Sequence, residues 1–445
     1  MKKFLLIPVA IVLVAALVFG GCAKPAAEVP EEIRIGGVYS LTGPYSAFST
    51  GGAVGVDAAV EDINSLGGIY LEDYGKRLPV RVIVTNSESD GLKAGTLAED
   101  LILRDDVDFL IQGCTTAFLS TPIATVCERY QIPFVSSTGP LESWRALREA
   151  VTPPWKYTWA MSFAVATPAP AGSPWDKPGM SMADMALEWM KTIGPQTNKK
   201  AALYATDDPD GRGWMILLPG LLEAAGYDIC GKEESLGLFV PGTTDFSAII
   251  QEWIDCDCDI LVGNAPGVDT GVLLRQSRSM GFKPKAAWCA KAAINYDDVV
   301  AWGGNLPQGI CTDSWWAPSF DPELCTGIAG RTPQALADYW LEETGRPLNV
   351  AIGFGYNAAQ VLFDSIERAG TIDDPDAVVN ALEATDLQTI CYRMQFDETQ
   401  FGRVPMFLSQ WRETDALEKW ECPIVFAPLP HMGESAELIF PIPYD

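Results

Sequence analysis

Three stretches of this 445-residue chain carry side chains whose types and spacing suit chemistry. In the first, the apolar run Phe109-Leu-Ile-Gln-Gly113 ends at Cys114-Thr115-Thr116, just ahead of a helix. A helix starting there turns unpaired main-chain N–H groups outward, so those donors and two hydroxyls form a cradle for a carboxylate. Val135-Ser136-Ser137-Thr138 ends the next strand and can add hydroxyls. The plainer alternative is that these Ser and Thr residues only cap helices. The second stretch, Asp255-Cys256-Asp257-Cys258-Asp259, has the donor types of a metal clip. It runs directly into the apolar strand Ile260-Leu261-Val262 with no second ligand pair nearby, so a strand-edge turn is expected and no metal site. The third is His431, the chain's single histidine, in Pro-Leu-Pro-His-Met-Gly. One histidine in a loop argues against histidine-based hydrolysis. No Gly-x-Ser-x-Gly elbow, phosphate-binding loop or His-Glu-x-x-His occurs, so neither an enzyme nor a bound cofactor is expected.

Eleven cysteines are present. Setting Cys22 aside leaves an even number, which outside the cell permits disulfides whose pairing the sequence does not reveal. Cys311 and Cys325 bracket a short loop and form the first pair to consider. With 58 acidic against 31 basic residues, the formal charge is −27. Such a surface repels nucleic acid and anionic lipid, and no basic run offsets it.

The N-terminus indicates where the chain works. Lys2 and Lys3 precede an apolar run from Phe4 to Phe19, then Gly20, Gly21 and Cys22. This is the layout of a secretory signal, and its apolar part is shorter than the ~20 residues that span a bilayer. Phe-Gly-Gly-Cys resembles a bacterial lipobox, with Phe19 where leucine is usual, which implies lipidation of Cys22. Residues 1–21 are therefore read as a signal peptide and 22–32 as a tether holding an exported domain to the membrane, facing the periplasm or cell exterior.

Strands and helices alternate beyond the tether. Ile33 to Tyr39 reads as a strand, Gly52 to Ser65 as a helix with a buried face, and Val80 to Thr85 as a strand. Lys93 to Arg104 is a predicted helix, Phe109 to Ile111 a strand, Pro122 to Tyr130 a helix and Ile132 to Val135 a strand. After an irregular Pro/Trp-rich stretch from Thr152 to Pro178, the pattern restarts at Ala201. The predicted elements are then a helix over 214–225, another over 246–253, a strand over 260–262 and a helix over 270–280. Late helices at 333–343, 355–369 and 376–384 need a sheet to cover, which sends the chain back to the first lobe. Alternation of this kind predicts an α/β fold with parallel sheets and helices on both faces.

Ile35-Gly-Gly-Val-Tyr-Ser-Leu-Thr-Gly-Pro44 and the following Gly55-x-x-x-Ala-Val-Glu-Asp-Ile-Asn-Ser-Leu-Gly-Gly-Ile69 resemble the opening of the branched-chain amino acid family of ABC-transporter binding proteins. Ile132-Pro-Phe-Val-Ser-Ser-Thr138, Leu274-Arg-Gln-Ser-Arg-Ser-Met-Gly-Phe282 and Gly355-Tyr356 are similar to that family too. The resemblance implies a type I periplasmic-binding fold: two Rossmann-like lobes, joined by three crossing strands near Trp159, Cys311 and Cys391, closing on a small solute. Residues 33–158 with 313–390 would form the N-terminal lobe, and 159–312 with 391–445 the C-terminal lobe. The implied partners are the solute and an ABC permease; a ligand-sensing lobe of a signalling system is the alternative.

By that resemblance the loops at Cys114, Thr115 and Thr116 and at Ser137 and Thr138 hold the solute's carboxylate, and Phe48 stacks on its apolar part. Two positions depart from the family. Relatives that bind amino acids usually place an acid, which receives the ammonium, about where Trp288-Cys-Ala-Lys291 puts Lys291. Their second-lobe aromatic falls near Asp210, within Thr206-Asp-Asp-Pro-Asp-Gly211. Three readings stay open. Lys291 faces the cleft and favours a carboxylic acid without an α-ammonium, since like charges repel in a low-dielectric cleft. Alternatively Lys291 and Asp210 neutralise each other, or Lys291 is solvated. Trp155, Trp159, Trp288, Trp315 and Trp316 gather near the crossings, where some could wall the cleft, though each alone is better read as core.

Overall fold

The computed structural model describes residues 29–173, 175–177, 180–230, 237–415, 419–433 and 435–444. The expected signal segment and Cys22 lie outside them. Residues 32–445 form one compact unit, which carries the architecture.

Among the described residues its two main sheets are built from fourteen strands. They are β1 (Ile33–Tyr39), β2 (Val80–Asn86), β3 (Phe109–Thr116), β4 (Phe134–Gly139), β5 (Thr158–Ser162), β6 (Lys200–Thr206), β7 (Asp228–Cys230), β8 (Leu238–Phe239), β9 (Ile260–Asn264), β10 (Ala286–Ala290), β11 (Ile310–Ser314), β12 (Phe401–Arg403), β13 (Phe407–Gln410) and β14 (Ile424–Phe426). The first sheet has the order β12-β5-β4-β3-β1-β2 and is parallel throughout. The second runs β8-β6-β9-β10-β11-β13-β14, with β7 beside β6. It is parallel through β11 and antiparallel after it. β4, β9, β10 and β11 are near-continuous buried runs, as strands covered on both faces must be.

The late helix Ala351–Ala369 covers the first sheet and packs along Ser46–Ser65. Glycine makes that crossing possible. A Cβ on Gly355 would stand 1.9 Å from the carbonyl oxygen of Gly52, and one on Gly55 2.0 Å from that of Ile352. Gly52 also lies against Gly113, so the helix contact reaches the tip of β3. Among the described residues no helix is long and apolar enough to cross a membrane.

Several boundaries differ from expectation. β3 continues through Cys114-Thr115-Thr116 by way of a register shift at Gln112/Cys114, so these residues are strand rather than loop. The next helix starts at Ala117, with Pro122 inside it, and not at Pro122. β5 lies within the stretch read as irregular: its five residues are buried, Thr158 to Ala160 pair with β4, and Ala160 to Ser162 pair with β12. Phe401–Arg403, expected in the second lobe, pairs with β5 in the first sheet and buries Phe401 there. The chain therefore leaves the first sheet after Ser162 and the second after Ser314, and changes sheet again between Arg403 and Phe407 rather than near Cys391. Cys311 and Cys325 are not bridged: all ten described cysteines are free thiols. Cys311 is held in β11 beside Trp288 and Gln410, while Cys325 comes after the chain has left that sheet.

Candidate functional site

Parallel strands collect their C-terminal ends on one edge, and in open α/β sheets ligands bind there. Such ends from both sheets line one cleft.

The first sheet contributes Cys114, Thr115, Thr116 and Gly139. Register pairs Cys114 with Ser137, Thr115 with Thr138 and Thr116 with Gly139. Ser137 and Thr138 thus sit one strand behind, buried, and it is Gly139 that reaches the cleft. Thr116 is the N-cap of helix Ala117–Tyr130, yet its side chain caps nothing. The Oγ1 atoms of Thr115, Thr116 and Thr138 are all buried without a hydrogen-bond partner among the described residues. Burial pushes the Cys114 thiol well above its ordinary range, which leaves it an uncharged wall.

An apolar wall follows. Phe48, in the first turn of Ser46–Ser65, lines it with Phe163, Met182, Ile294 and Trp315. Trp315 is fixed by stacking on Phe354, with ring centroids 3.9 Å apart, and by Phe163 at 5.1 Å. Of the five tryptophans noted in the sequence, Trp315 alone lines this cleft. Trp155, Trp159, Trp288 and Trp316 are core residues.

The second sheet supplies the charges. Asp208 caps helix Pro209–Ala224, accepting from the Gly211 N–H at 2.8 Å, and Asp210 lies in that helix's first turn. Lys291 follows β10 with φ 65° and is 9% exposed. Its Nζ lies 2.9 Å from Asp210 Oδ2 and 3.9 Å from Asp208 Oδ2, and 5.3 Å from the centre of the Tyr45 ring. Burial acts to lower the Lys291 pKa, but the charges of Asp210, Tyr45 and Asp208 outweigh it and hold the ammonium above its ordinary range. Lys291 and Asp210 both line the cleft and pair with each other there, so Lys291 is not the solvated residue of the third reading. Tyr45, on the first-lobe side, donates to Asp208 at 3.5 Å and so ties the two sides of the cleft together.

Asn264 at the end of β9 and Asp313 near the end of β11 complete the lining. Both were missed in the sequence, as were Tyr45, Phe163 and Met182. The signal for Asn264 was its place at the tip of a parallel strand. Trp288 donates from Nε1 to Asp313 Oδ1 at 3.0 Å. Burial raises the Asp313 carboxyl to about 6, against the effect of that N–H.

Among the described residues no cluster of His, Cys, Asp or Glu is arranged to hold a metal ion. Asp255 to Asp259 lie at the opposite, N-terminal end of β9, where Asp259 pairs with Lys285 at 3.0 Å. His431 is fully buried, stacked on Tyr392 with centroids 4.1 Å apart.

The family model for periplasmic binding proteins matches residues 32–416. The chain belongs to the periplasmic binding protein family. Members are exported receptors that bind small solutes and work with ABC permeases. Leu/Ile/Val-binding protein homolog 3 of Brucella melitensis is 24% identical over 399 residues, covering 89% of this chain and 95% of that protein. Among solved structures, the branched-chain amino acid binding protein LivJ of Streptococcus pneumoniae, in complex with isoleucine, aligns with a TM-score of 0.66 at 16% identity, covering 88% of this chain and 99% of that one. A solute-binding protein of Rhodopseudomonas palustris BisB5, in complex with 3,4-dihydroxybenzoic acid, aligns at 0.65 and 14%, covering 87% and 94%. The fold shared within the family is the type I periplasmic-binding fold, and these relatives are binding proteins rather than enzymes.

Proposed function

We propose that this receptor closes on a small carboxylate-bearing solute and presents it to its ABC permease. The observation that carries the reading is the pair of buried, unpartnered hydroxyls of Thr115 and Thr116 at the N-terminus of helix Ala117–Tyr130, opposite an apolar wall. A carboxylate there gains charge-assisted hydrogen bonds and the favourable end of the helix dipole. Phe48, Phe163 and Trp315 suit an apolar or aromatic body. The ligands in the two structural relatives, isoleucine and 3,4-dihydroxybenzoic acid, both carry a carboxyl group. A preference for acids without an α-ammonium would require Lys291 to present an unpaired charge; its contact with Asp210 removes that ground, and both classes of acid remain in the proposal. A thermal-shift screen of amino acids, aliphatic acids and aromatic acids tests it. A true ligand at ~100 times its dissociation constant stabilises by ~2.7 kcal/mol. If no carboxylate shifts the transition and neutral sugars or bases do, the reading is wrong.

We propose further that the lobes divide by sheet, 33–162 with 333–403 and 182–314 with 407–444, hinged on the segments between. Attachment to the membrane through a lipid on Cys22 is supported by the order Lys2-Lys3, apolar run, Gly20-Gly21-Cys22. Cys22→Ser should move the protein from the membrane fraction to the soluble one; unchanged partition would sink the anchor.

A further inference from the structure

We infer that the chain carries a second ligand site, apart from the cleft, in which Arg403 receives a small monocarboxylate with an apolar body. The site goes beyond the function proposed above, since the hollow that holds it shares no lining residue with the cleft.

Arg403 ends β12 and is 2% exposed. A guanidinium keeps its charge inside a protein, so a buried one needs an anion or a full set of acceptors. Arg403 has neither. Its one hydrogen bond among the described residues runs from Nη1 to the Thr167 carbonyl at 2.7 Å, and its Nε–H is buried without a partner. It forms no ion pair with a described residue, although the charges of Asp397, Glu142 and Glu398 reach it. Two of those carboxylates are engaged elsewhere. Glu142 accepts from the N–H groups of Val165, Ala166 and Thr167. Asp397 accepts from those of Thr399 and Phe401, and its other oxygen lies 4.0 Å from Arg145. Glu398 is exposed. The guanidinium is therefore left for a group from outside the chain.

The surroundings of Arg403 give the second argument. Trp175 and Ser173 line the same hollow, and Trp175 Nε1 and Ser173 Oγ are both buried without a partner among the described residues. Three unpaired donors thus border one space. Side by side, the N–H groups of a guanidinium match the two oxygens of a carboxylate. Pro170, Phe396 and Phe401 supply apolar wall, and Phe396 is held by Trp159 with ring centroids 4.9 Å apart. Asp397 and Glu398 stand at the same hollow and repel a second negative charge. The fit is a single carboxylate on an apolar or aromatic body, not a phosphate or a dicarboxylate. In the fold, the site lies where two changes of sheet run together: the Val404 N–H, just past β12, donates to the Ser162 carbonyl at the end of β5 at 3.0 Å.

The test is equilibrium dialysis at millimolar benzoate, and at millimolar benzamide as its neutral counterpart. A protein carrying Thr115→Val and Thr116→Val, changes that act on the cleft, is compared with the same protein carrying Arg403→Gln as well. The first should bind benzoate tenfold or more tighter than benzamide, and Arg403→Gln should weaken that benzoate tenfold or more. Benzoate binding that Arg403→Gln leaves unchanged lies elsewhere, equal binding of benzamide means that no charge is read, and no uptake of benzoate means that the hollow holds water only. Each of these overturns the inference. Should the Arg403 variant not fold, wild-type crystals grown with 4-bromobenzoate decide: the anomalous signal of bromine lies in the hollow with the carboxylate on Arg403, or the site does not exist.

Discussion

Lys291 Nζ and Asp210 Oδ2 are 2.9 Å apart, with side chains only 10% and 21% exposed. The pair joins the turn after β10 to the first turn of helix Pro209–Ala224, so it braces the second-lobe side of the cleft. Removing one member of a partly buried pair strands the other, at a cost of roughly 2–4 kcal/mol. Lys291→Met should therefore lower stability by that order while changing carboxylate affinity less than tenfold. Lys291→Met with Asp210→Asn should recover most of the loss, read as a coupling energy in a double-mutant cycle of urea unfolding. A variant of full stability that has lost its ligand would instead put Lys291 on the solute.

Thr115 and Thr116 lead to the opposite expectation. Their hydroxyls have no partner among the described residues, and Thr116 does not cap its helix. Exchanging either for valine removes an unsatisfied buried group, so the empty protein should be as stable or more so. The same changes should weaken a bound carboxylate by ~1.5–3 kcal/mol each, the range of hydrogen bonds to charged groups. Calorimetry and thermal unfolding on the same samples separate the two effects. Lost stability with unchanged affinity would mean that these threonines are only structural.

How much of this was readable beforehand depends on what periodicity records. Alternating apolar strands and amphipathic helices announce a parallel sheet, and the covering helix Ala351–Ala369 was legible from its unpartnered apolar face. Pro122 misled, because a proline in an early turn of a helix reads as its start. β5 was hidden by the prolines and tryptophans around it, and β12 by its length of three residues. Lys291 and Asp210 were recognised as departures from a familiar pattern, but whether they touch depends on how a strand tip and a helix N-terminus 81 residues apart converge. Asp313 gave no signal at all. A carboxylate in an apolar strand looks like an exposed edge until Trp288 on the neighbouring strand is seen to cover it.

His431 should set the acid limit of the fold. Burial lowers its pKa from 6.5 to about 4, only partly opposed by Asp321, and neither ring nitrogen has a partner among the described residues. A base depressed on folding binds protons preferentially when unfolded, so stability rises with pH across this window. It is complete above about 6.5 and declines as the pH falls toward about 4, by roughly 3 kcal/mol at one pKa unit per 1.36 kcal/mol. His431→Phe keeps a ring against Tyr392 and should flatten that part of the profile. Urea midpoints of both proteins at pH 7 and pH 4.5 measure it; parallel profiles would show that other groups drive the acid loss.

Gly355 gives the sharpest test of how helix packing supports the site. In an exposed helix interior, glycine to alanine usually stabilises by ~0.5–1 kcal/mol. Gly220, in helix Pro209–Ala224 with nothing within 4 Å of a built Cβ, should behave that way. At Gly355 the same methyl meets the Gly52 carbonyl oxygen at 1.9 Å, and helix Ser46–Ser65 must move. Overpacking of this kind destabilises by roughly 1–3 kcal/mol. Gly52 in turn lies against Gly113 and the Cys114 N–H at the tip of β3, where a Cβ on it would come within 2.4 Å. The displacement therefore passes to Phe48 and to Thr115 and Thr116. Gly355→Ala should lose both stability and solute affinity, though Gly355 does not line the cleft. Stability lost with affinity intact would mean that the strand tip holds its shape without the helix, and that the threonine wall is set by β4 alone.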